Sequence, residues 1–247
     1  MNIALLTAAG IGSRVSSRIP KQFIHVYDKP IILYTMEQFQ KHPEIDGIFV
    51  VTLPDWKEIV SLYAQEYKIR KFIDTVDGGE TCQQSIINGL NAISKEYPKD
   101  VTILIHDGSR PLVSQEVISD SLTVYKRYGG AVAAIPTTEA VFVSEDGQTG
   151  IKGLDRDKLI RTQTPHTFTL GKLLDTYSWA KSQGIMNSTA VCSVLALMGE
   201  EIHFSKGNQT NLKITTSEDL EIFKSIIMRR MFEDECEFTK MKCMSKI

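Results

Sequence analysis

Short aliphatic runs alternate with longer amphipathic stretches through most of this 247-residue chain. Apolar or β-branched runs at Ile3–Leu6, Gly47–Leu53, Lys71–Val76, Val101–His106 and Ala131–Pro136, each bounded by turn or polar residues, predict strands. Helical periodicity is expected over Ile31–Lys41, Trp56–Tyr67, Cys82–Glu96, Gln115–Tyr128, Leu170–Gln183 and Glu218–Met228. The strands are apolar along their whole length rather than at alternate positions, so both faces of the sheet are covered. That predicts an α/β chain in which helices sandwich a mostly parallel sheet. Ligands of such sheets gather at the carboxyl ends of the strands, which brings the loops after Leu6, Val76 and His106 to one edge.

The rhythm breaks over residues 137–163, where short apolar runs such as Val141–Val143 flank polar turns and Asp146-Gly147 offers a hairpin signal. This segment is expected to leave the main sheet as an arm. Thr215 and Glu218 stand at capping-box spacing and predict the start of the last helix. A single domain over residues 1–230 follows, with 231–247 as a tail, either a frayed helix end or a remnant outside the fold.

Composition removes several functional classes. Lys and Arg total 28 against 30 Asp and Glu, for a net charge of −2 with no long basic run, so nothing marks a nucleic-acid footprint. No stretch approaches the roughly 18 apolar residues of a membrane span, and residues 2–9 have no cationic leader, so a soluble, cytoplasmic protein is expected. Cys82, Cys192, Cys236 and Cys243 lack metal-ligand spacing and read as reduced thiols.

The richest chemistry lies in Leu5-Leu6-Thr7-Ala8-Ala9-Gly10-Ile11-Gly12-Ser13-Arg14, followed by Pro20-Lys21-Gln22. An apolar strand enters a turn of small residues whose backbone N–H groups are uncovered, and Arg14 and Lys21 follow as cations. Phosphate oxygens can sit against such a turn, with the cations neutralising charge that amides cannot. A dinucleotide fingerprint needs glycine where Val15 stands, and a Walker loop needs a Gly-Lys-Ser/Thr run that is absent, so a nucleotide triphosphate grip of another kind is read here.

Four further clusters carry potential chemistry. His106-Asp107-Gly108-Ser109-Arg110-Pro111 puts Asp107 at the ligand edge with Arg110 nearby, as a functional pair or a buried structural one. Asp155-Arg156-Asp157 and Arg161-Thr162-Gln163-Thr164-Pro165 offer guanidinium groups and hydroxyls suited to a phosphate monoester, or to surface salt bridging. Lys213, on the approach to the last helix, can lean into a phosphate site. Bare backbone at Gly78-Gly79-Glu80 can approach a base that Ser85 then bonds.

Across residues 1–230 these stretches, with Pro20-Lys21-Gln22-Phe23 and Asn211-Leu212-Lys213-Ile214-Thr215, resemble the cytidylyltransferases that join CTP to a sugar-alcohol phosphate, acting on methylerythritol 4-phosphate or ribitol 5-phosphate. The resemblance implies a Rossmann-like three-layer domain, a homodimer built around the arm, and Mg²⁺-dependent transfer of CMP with release of pyrophosphate. It implies that Arg14, Lys21 and Lys213 hold the triphosphate, with Ala8, Ala9, Gly10, Gly12, Gly79, Glu80 and Ser85 around the nucleotide. Asp107, Arg110, Arg156, Thr164 and Thr189 would face the acceptor, Arg156 reaching across from the partner subunit, and Asp107 is the candidate on the metal side. Magnesium would be held largely by the triphosphate and water.

Departures from the family pattern fall on the acceptor side. Ala140 stands in place of a threonine, Thr189-Ala190-Val191 in place of a Thr-Asp-Glu-like run, and Cys82 in place of an arginine. These changes point away from methylerythritol phosphate and towards ribitol 5-phosphate or a glycerol phosphate, with a cell-surface polymer such as teichoic acid as destination. Two other classes compete: a non-catalytic nucleotide-binding homologue, against which the joint presence of Arg14, Lys21 and Lys213 argues, and a hexose-1-phosphate nucleotidylyltransferase, which needs more acidic metal ligands.

Overall fold

A computed structural model of the protein describes residues 1–10, 19–188 and 190–244, with side chains described through residue 233. The chain runs β1 (Asn2–Ala8), β2 (His25–Val26), β3 (Lys29–Pro30), α1 (Ile31–Lys41), β4 (Gly47–Thr52), α2 (Lys57–Glu66), β5 (Phe72–Asp77) and α3 (Cys82–Ile93). It continues through β6 (Thr102–Asp107), α4 (Gln115–Tyr128), β7 (Gly130–Pro136), β8 (Val141–Val143), β9 (Lys152–Leu154), β10 (Ile160–Thr169) and α5 (Leu170–Ser182). Last come α6 (Val191–Leu197), β11 (Phe204–Lys206) and α7 (Ser217–Met244).

Seven strands form the main sheet in the order β11-β7-β10-β6-β1-β4-β5. All neighbours are parallel except β10, which is antiparallel to both β6 and β7. The mostly parallel sheet and its helix-covered faces agree with the sequence. Residues of β1 divide by parity: Ala4 and Leu6 pack with Ile32, Leu33, Met36 and Phe39 of α1 and Val117, Ile118 and Leu122 of α4. Ile3 and Leu5 face the other way, onto Ile86 and Leu90 of α3 and Leu173 and Tyr177 of α5. These apolar residues are almost fully buried. Each of the larger aliphatic side chains among them is worth roughly 1.5–3 kcal/mol of burial, which is why continuous apolar strands settle in the middle of three layers.

Three parts of the sequence expectation need correction. Ile160–Thr169 is a central strand, so the excursion ends before residue 160: Ile160, Arg161 and Thr162 pair with Pro136, Ile135 and Ala134 of β7. Proline within a central strand removes a ladder donor. The register shift between Thr162 and His166 absorbs Pro165. The capping box lies one residue later than expected: Asp219 N–H donates to Thr216 Oγ1 at 3.2 Å, while Asp219 Oδ2 accepts the Thr216 N–H at 2.9 Å. The helix α6 was not expected at all, being only seven residues long. Beyond residue 230 the α7 backbone continues as helix to Met244.

The excursion itself is a β8–β9 hairpin with Val141 opposite Leu154. Asp146 closes its turn, Oδ1 accepting the Gln148 and Thr149 N–H groups at 2.8 Å each, and Gly147 takes φ +70°, a backbone shape side chains resist. Among the described residues no helix is long and apolar enough to cross a membrane. Cys82 and Cys192 are free thiols.

Candidate active site

Sheet register delivers one row of chain ends to a single edge. Thr7 pairs with Asp107, Ala8 with Thr52, and Thr52 with Asp77. Just past the ends of β5 and β6 a glycine N–H bonds back to the neighbouring strand: Gly78 to Thr52 O at 2.7 Å, and Gly108 to Thr7 O at 2.9 Å. A Cβ at Gly78 would lie 2.3 Å from Ala9 Cβ, and one at Gly108 would lie 3.0 Å from Thr7 O, so both turns need glycine for close approach.

The cleft over this edge encloses about 410 Å³. Its lining includes Ala8, Ala9, Gly10 and Lys21 on one side, Gly79, Glu80 and Ser85 on another, and Asp107 with Lys213 on a third. Nine of the sequence-derived positions, Asp107 among them, therefore meet in one cavity. Gly12, Arg14 and Thr189 lie outside the described residues.

Gln22, which the sequence marked only as part of a motif, holds the small-residue turn. It is buried, and its Nε2 donates to Ala8 O at 2.5 Å and to Gly10 O at 3.1 Å. Its signal in the sequence is a lone amide between Lys21 and the buried Phe23, whose ring stacks on Trp56 at 4.0 Å. Ser85 Oγ accepts the Gly79 N–H at 3.0 Å and donates to Thr81 O at 3.0 Å. Its hydroxyl therefore shapes the Gly79 loop as well as lining the cleft.

Asp107 is the electrostatic centre. Its Oδ1 takes Lys213 Nζ at 2.9 Å, and its Oδ2 takes Arg110 Nε at 2.9 Å. Burial alone would raise its pKa, but these two cations and their hydrogen bonds outweigh that and hold the carboxyl below the usual carboxylate range. Arg110 is not among the cleft-lining residues; its Nη1 donates to Asn211 O at 2.7 Å, so it braces Asp107 from behind. Thr164 is likewise set back, with Oγ1 accepting the Asp107 N–H at 3.1 Å and lying 3.0 Å from His106 Nδ1. Burial pushes His106 down to about 3 and His166 down to about 4, so both rings are neutral.

Asn211, another residue with no role legible in the sequence, is fully buried and donates to Thr164 O at 2.9 Å. It locks the approach to Lys213 against β10, and Ile214 N–H bonds Ser109 O at 2.9 Å just beyond. Arg156 lies elsewhere: 60% exposed beside the arm, its Nη1 bonds Thr138 O at 3.1 Å. Ala140 is exposed on the arm, whereas Val191 is buried against the α5–α6 core, so the apolar residue at 191 serves packing rather than an acceptor surface.

The family model of 2-C-methyl-D-erythritol 4-phosphate cytidylyltransferase matches residues 2–230. The chain belongs to that family. It is an enzyme that transfers a cytidylyl group from CTP. It is 37% identical over 232 residues to a ribitol-5-phosphate cytidylyltransferase of Lacticaseibacillus paracasei, covering 93% of this chain and 99% of the relative. A ribitol-5-phosphate cytidylyltransferase of Vibrio parahaemolyticus is 35% identical, covering 92% of this chain and 96% of the relative. A 2-C-methyl-D-erythritol 4-phosphate cytidylyltransferase of Clostridium botulinum is 34% identical, covering 92% and 97% respectively. Among solved structures, the 2-C-methyl-D-erythritol 4-phosphate cytidylyltransferase of Francisella tularensis superposes with a TM-score of 0.73 at 30% identity, covering 90% of this chain and 97% of that one.

Proposed function

We propose that this cytidylyltransferase moves CMP from CTP to ribitol 5-phosphate, giving a CDP-alcohol and pyrophosphate. The observation that carries the nucleotide half is the convergence of Lys21, Lys213 and the small-residue Ala8–Gly10 turn on one cleft at the carboxyl edge of the sheet. The acceptor half is supported by the ribitol-phosphate relatives at 35–37% identity. A glycerol phosphate is the next acceptor in line, and supply of a cell-surface polymer such as teichoic acid is the setting we infer.

The acceptor brings its own nucleophile, a phosphate oxygen, which attacks the α-phosphorus while the bond to pyrophosphate breaks. No serine or histidine need be deprotonated, so the work of the protein is alignment and neutralisation of charge. Lys21 and Lys213 face the cleft where charge on the leaving pyrophosphate would develop. The small residues at 8–10 leave backbone room for phosphate oxygens.

Magnesium belongs to this reading. Among the described residues no group of three or more His, Cys, Asp or Glu side chains is placed to hold a metal, so the ion would arrive with the triphosphate. Each oxygen of Asp107 carries one cation and keeps a further lone pair, which suits a contact to a hydrated ion. Bound there, the ion would screen the triphosphate charge. We also infer a cytoplasmic homodimer in which Arg156 serves the neighbouring subunit's acceptor.

Pyrophosphate release measured with ribitol 5-phosphate, glycerol phosphate and methylerythritol 4-phosphate at saturating CTP tests the acceptor. Ribitol 5-phosphate is expected to give the highest kcat/KM. A methylerythritol phosphate value more than about tenfold above the other two would overturn the choice.

A further inference from the structure

Asp107 is enclosed by a ring of hydrogen bonds that begins and ends on that residue. Its backbone N–H donates to Thr164 Oγ1 at 3.1 Å, and Thr164 Oγ1 lies 3.0 Å from His106 Nδ1. On the far side of the imidazole, His106 Nε2 lies 3.2 Å from Arg110 O. Arg110 then returns Nε to Asp107 Oδ2 at 2.9 Å.

Donor and acceptor arithmetic fixes every proton in that ring. A carbonyl only accepts, so Nε2 carries the imidazole proton; Nδ1 is then the acceptor, and the Thr164 hydroxyl donates to it. That leaves a lone pair of Oγ1 for the Asp107 N–H. The threonine hydroxyl is thus oriented by the histidine, and the histidine by the Arg110 backbone. His106 is fully buried, with its ring 5.0 Å from that of Phe39, and has no path to substrate.

We propose that His106 and Thr164 are positioning residues that fix Asp107, and through it Lys213, at the cleft. This rests on the cytidylyl-transfer reading of the same site, and it gives Thr164 a different task from direct contact with the acceptor. A hydrogen bond to the backbone of Asp107 and one to its side chain hold the carboxylate from two directions, so its Oδ1 meets Lys213 Nζ in one geometry. Displacements of about 1 Å in a catalytic group are costly when alignment carries most of the rate.

The test uses Thr164→Val, Thr164→Ser and His106→Asn in the full chain, with melting temperatures to confirm folding. Valine keeps the shape of threonine without the hydroxyl, serine keeps the hydroxyl, and asparagine keeps an acceptor near the place of Nδ1. Thr164→Val is expected to lower kcat by about tenfold or more, with Thr164→Ser and His106→Asn losing much less. In an Asp107→Asn background Thr164→Val should cost less than about twofold, because a relay acting through Asp107 has little left to transmit. Equal losses in the two backgrounds would overturn the proposal.

A second readout needs no turnover: hydrogen exchange of the Asp107 amide should be slow in the unsubstituted protein and in Thr164→Ser, and fast in Thr164→Val. Unchanged exchange in Thr164→Val would overturn the relay. Absence of pyrophosphate release by the unsubstituted enzyme with CTP and every acceptor would instead overturn the functional reading, and the amide exchange would still decide the relay.

Discussion

Lys213 Nζ lies 2.9 Å from Asp107 Oδ1, a pairing that joins the carboxyl end of β6 to the approach of α7 across 106 residues of chain. Lys213 is 41% exposed while Asp107 is 15% exposed, so the cation stands at the mouth and the carboxylate behind it. A triphosphate entering the cleft meets an ammonium group already held in place, and the arriving phosphate oxygens would compete with Asp107 for its protons.

Removing either cleft lysine should therefore strike the chemical step. Lys21→Ala and Lys213→Ala are each expected to lower kcat by about 10²–10³, with melting temperatures near that of the unsubstituted protein. Stopped-time pyrophosphate assays at saturating CTP check this. Turnover within a factor of about three in either variant would remove that lysine from the machinery.

Gln22 gives a second expectation, on binding rather than chemistry. Its amide ties the carbonyls of Ala8 and Gly10, so Gln22→Ala should loosen the turn that faces the phosphates and raise the KM for CTP about tenfold. Gln22→Glu should be worse, because it sets an acceptor against two carbonyl oxygens where a donor is needed. If Gln22→Glu kept its affinity for CTP, the turn would be shown to hold its shape without that amide.

The buried histidines make stability depend on pH in a defined direction. Burial lowers His166 from the ordinary 6.5 to about 4 and His106 to about 3, so between those values and 6.5 the unfolded chain binds more protons than the fold. Their contribution is complete above about pH 6.5 and is lost as pH falls through that window, by up to about 1.4 kcal/mol per pH unit for each ring. Urea unfolding at about pH 7 and about pH 5 should show a clear fall in midpoint at the lower value, with little change from pH 7 to 8. A midpoint that is flat between pH 7 and 5 would mean that the rings are not held neutral.

The sheet was legible in the sequence because parallel strands buried on both faces are written as unbroken aliphatic runs, as in Ile3–Leu6 and Gly47–Leu53. Their register then carried Ala8, Gly79 and Asp107 to one edge without further information. β10 was not legible: between Ile160 and Phe168 the segment Ile160–Thr169 is almost entirely polar and contains Pro165, which reads as a loop until its neighbours β7 and β6 are known. The tasks of Gln22, His106 and Asn211 were hidden for another reason. Each is defined by partners distant in the chain, such as Asn211 Nδ2 on Thr164 O, and no local pattern encodes a contact of that kind.

Arg156 supplies the last expectation. It sits by the hairpin arm, is absent from the cleft lining of its own chain, and shares the arm with Phe142 and Ile151, which are 62% and 65% exposed. Large exposed apolar groups on a projecting hairpin suit burial by a second copy, and closed two-fold dimers are the commonest assembly of identical chains. If the arm brings Arg156 to the neighbouring cleft, Lys21→Ala and Arg156→Ala subunits should complement each other. In a mixed dimer the cleft of the Arg156→Ala subunit keeps Lys21 and receives an intact Arg156 from its partner, while the other cleft lacks both. Random mixing makes about half the dimers mixed, so activity should return to about one quarter of that of the unsubstituted enzyme from two nearly inactive parents. Mixed dimers that form, as shown by differently tagged subunits purifying together, yet stay as inactive as the parents would place Arg156 in its own subunit's service or outside the site.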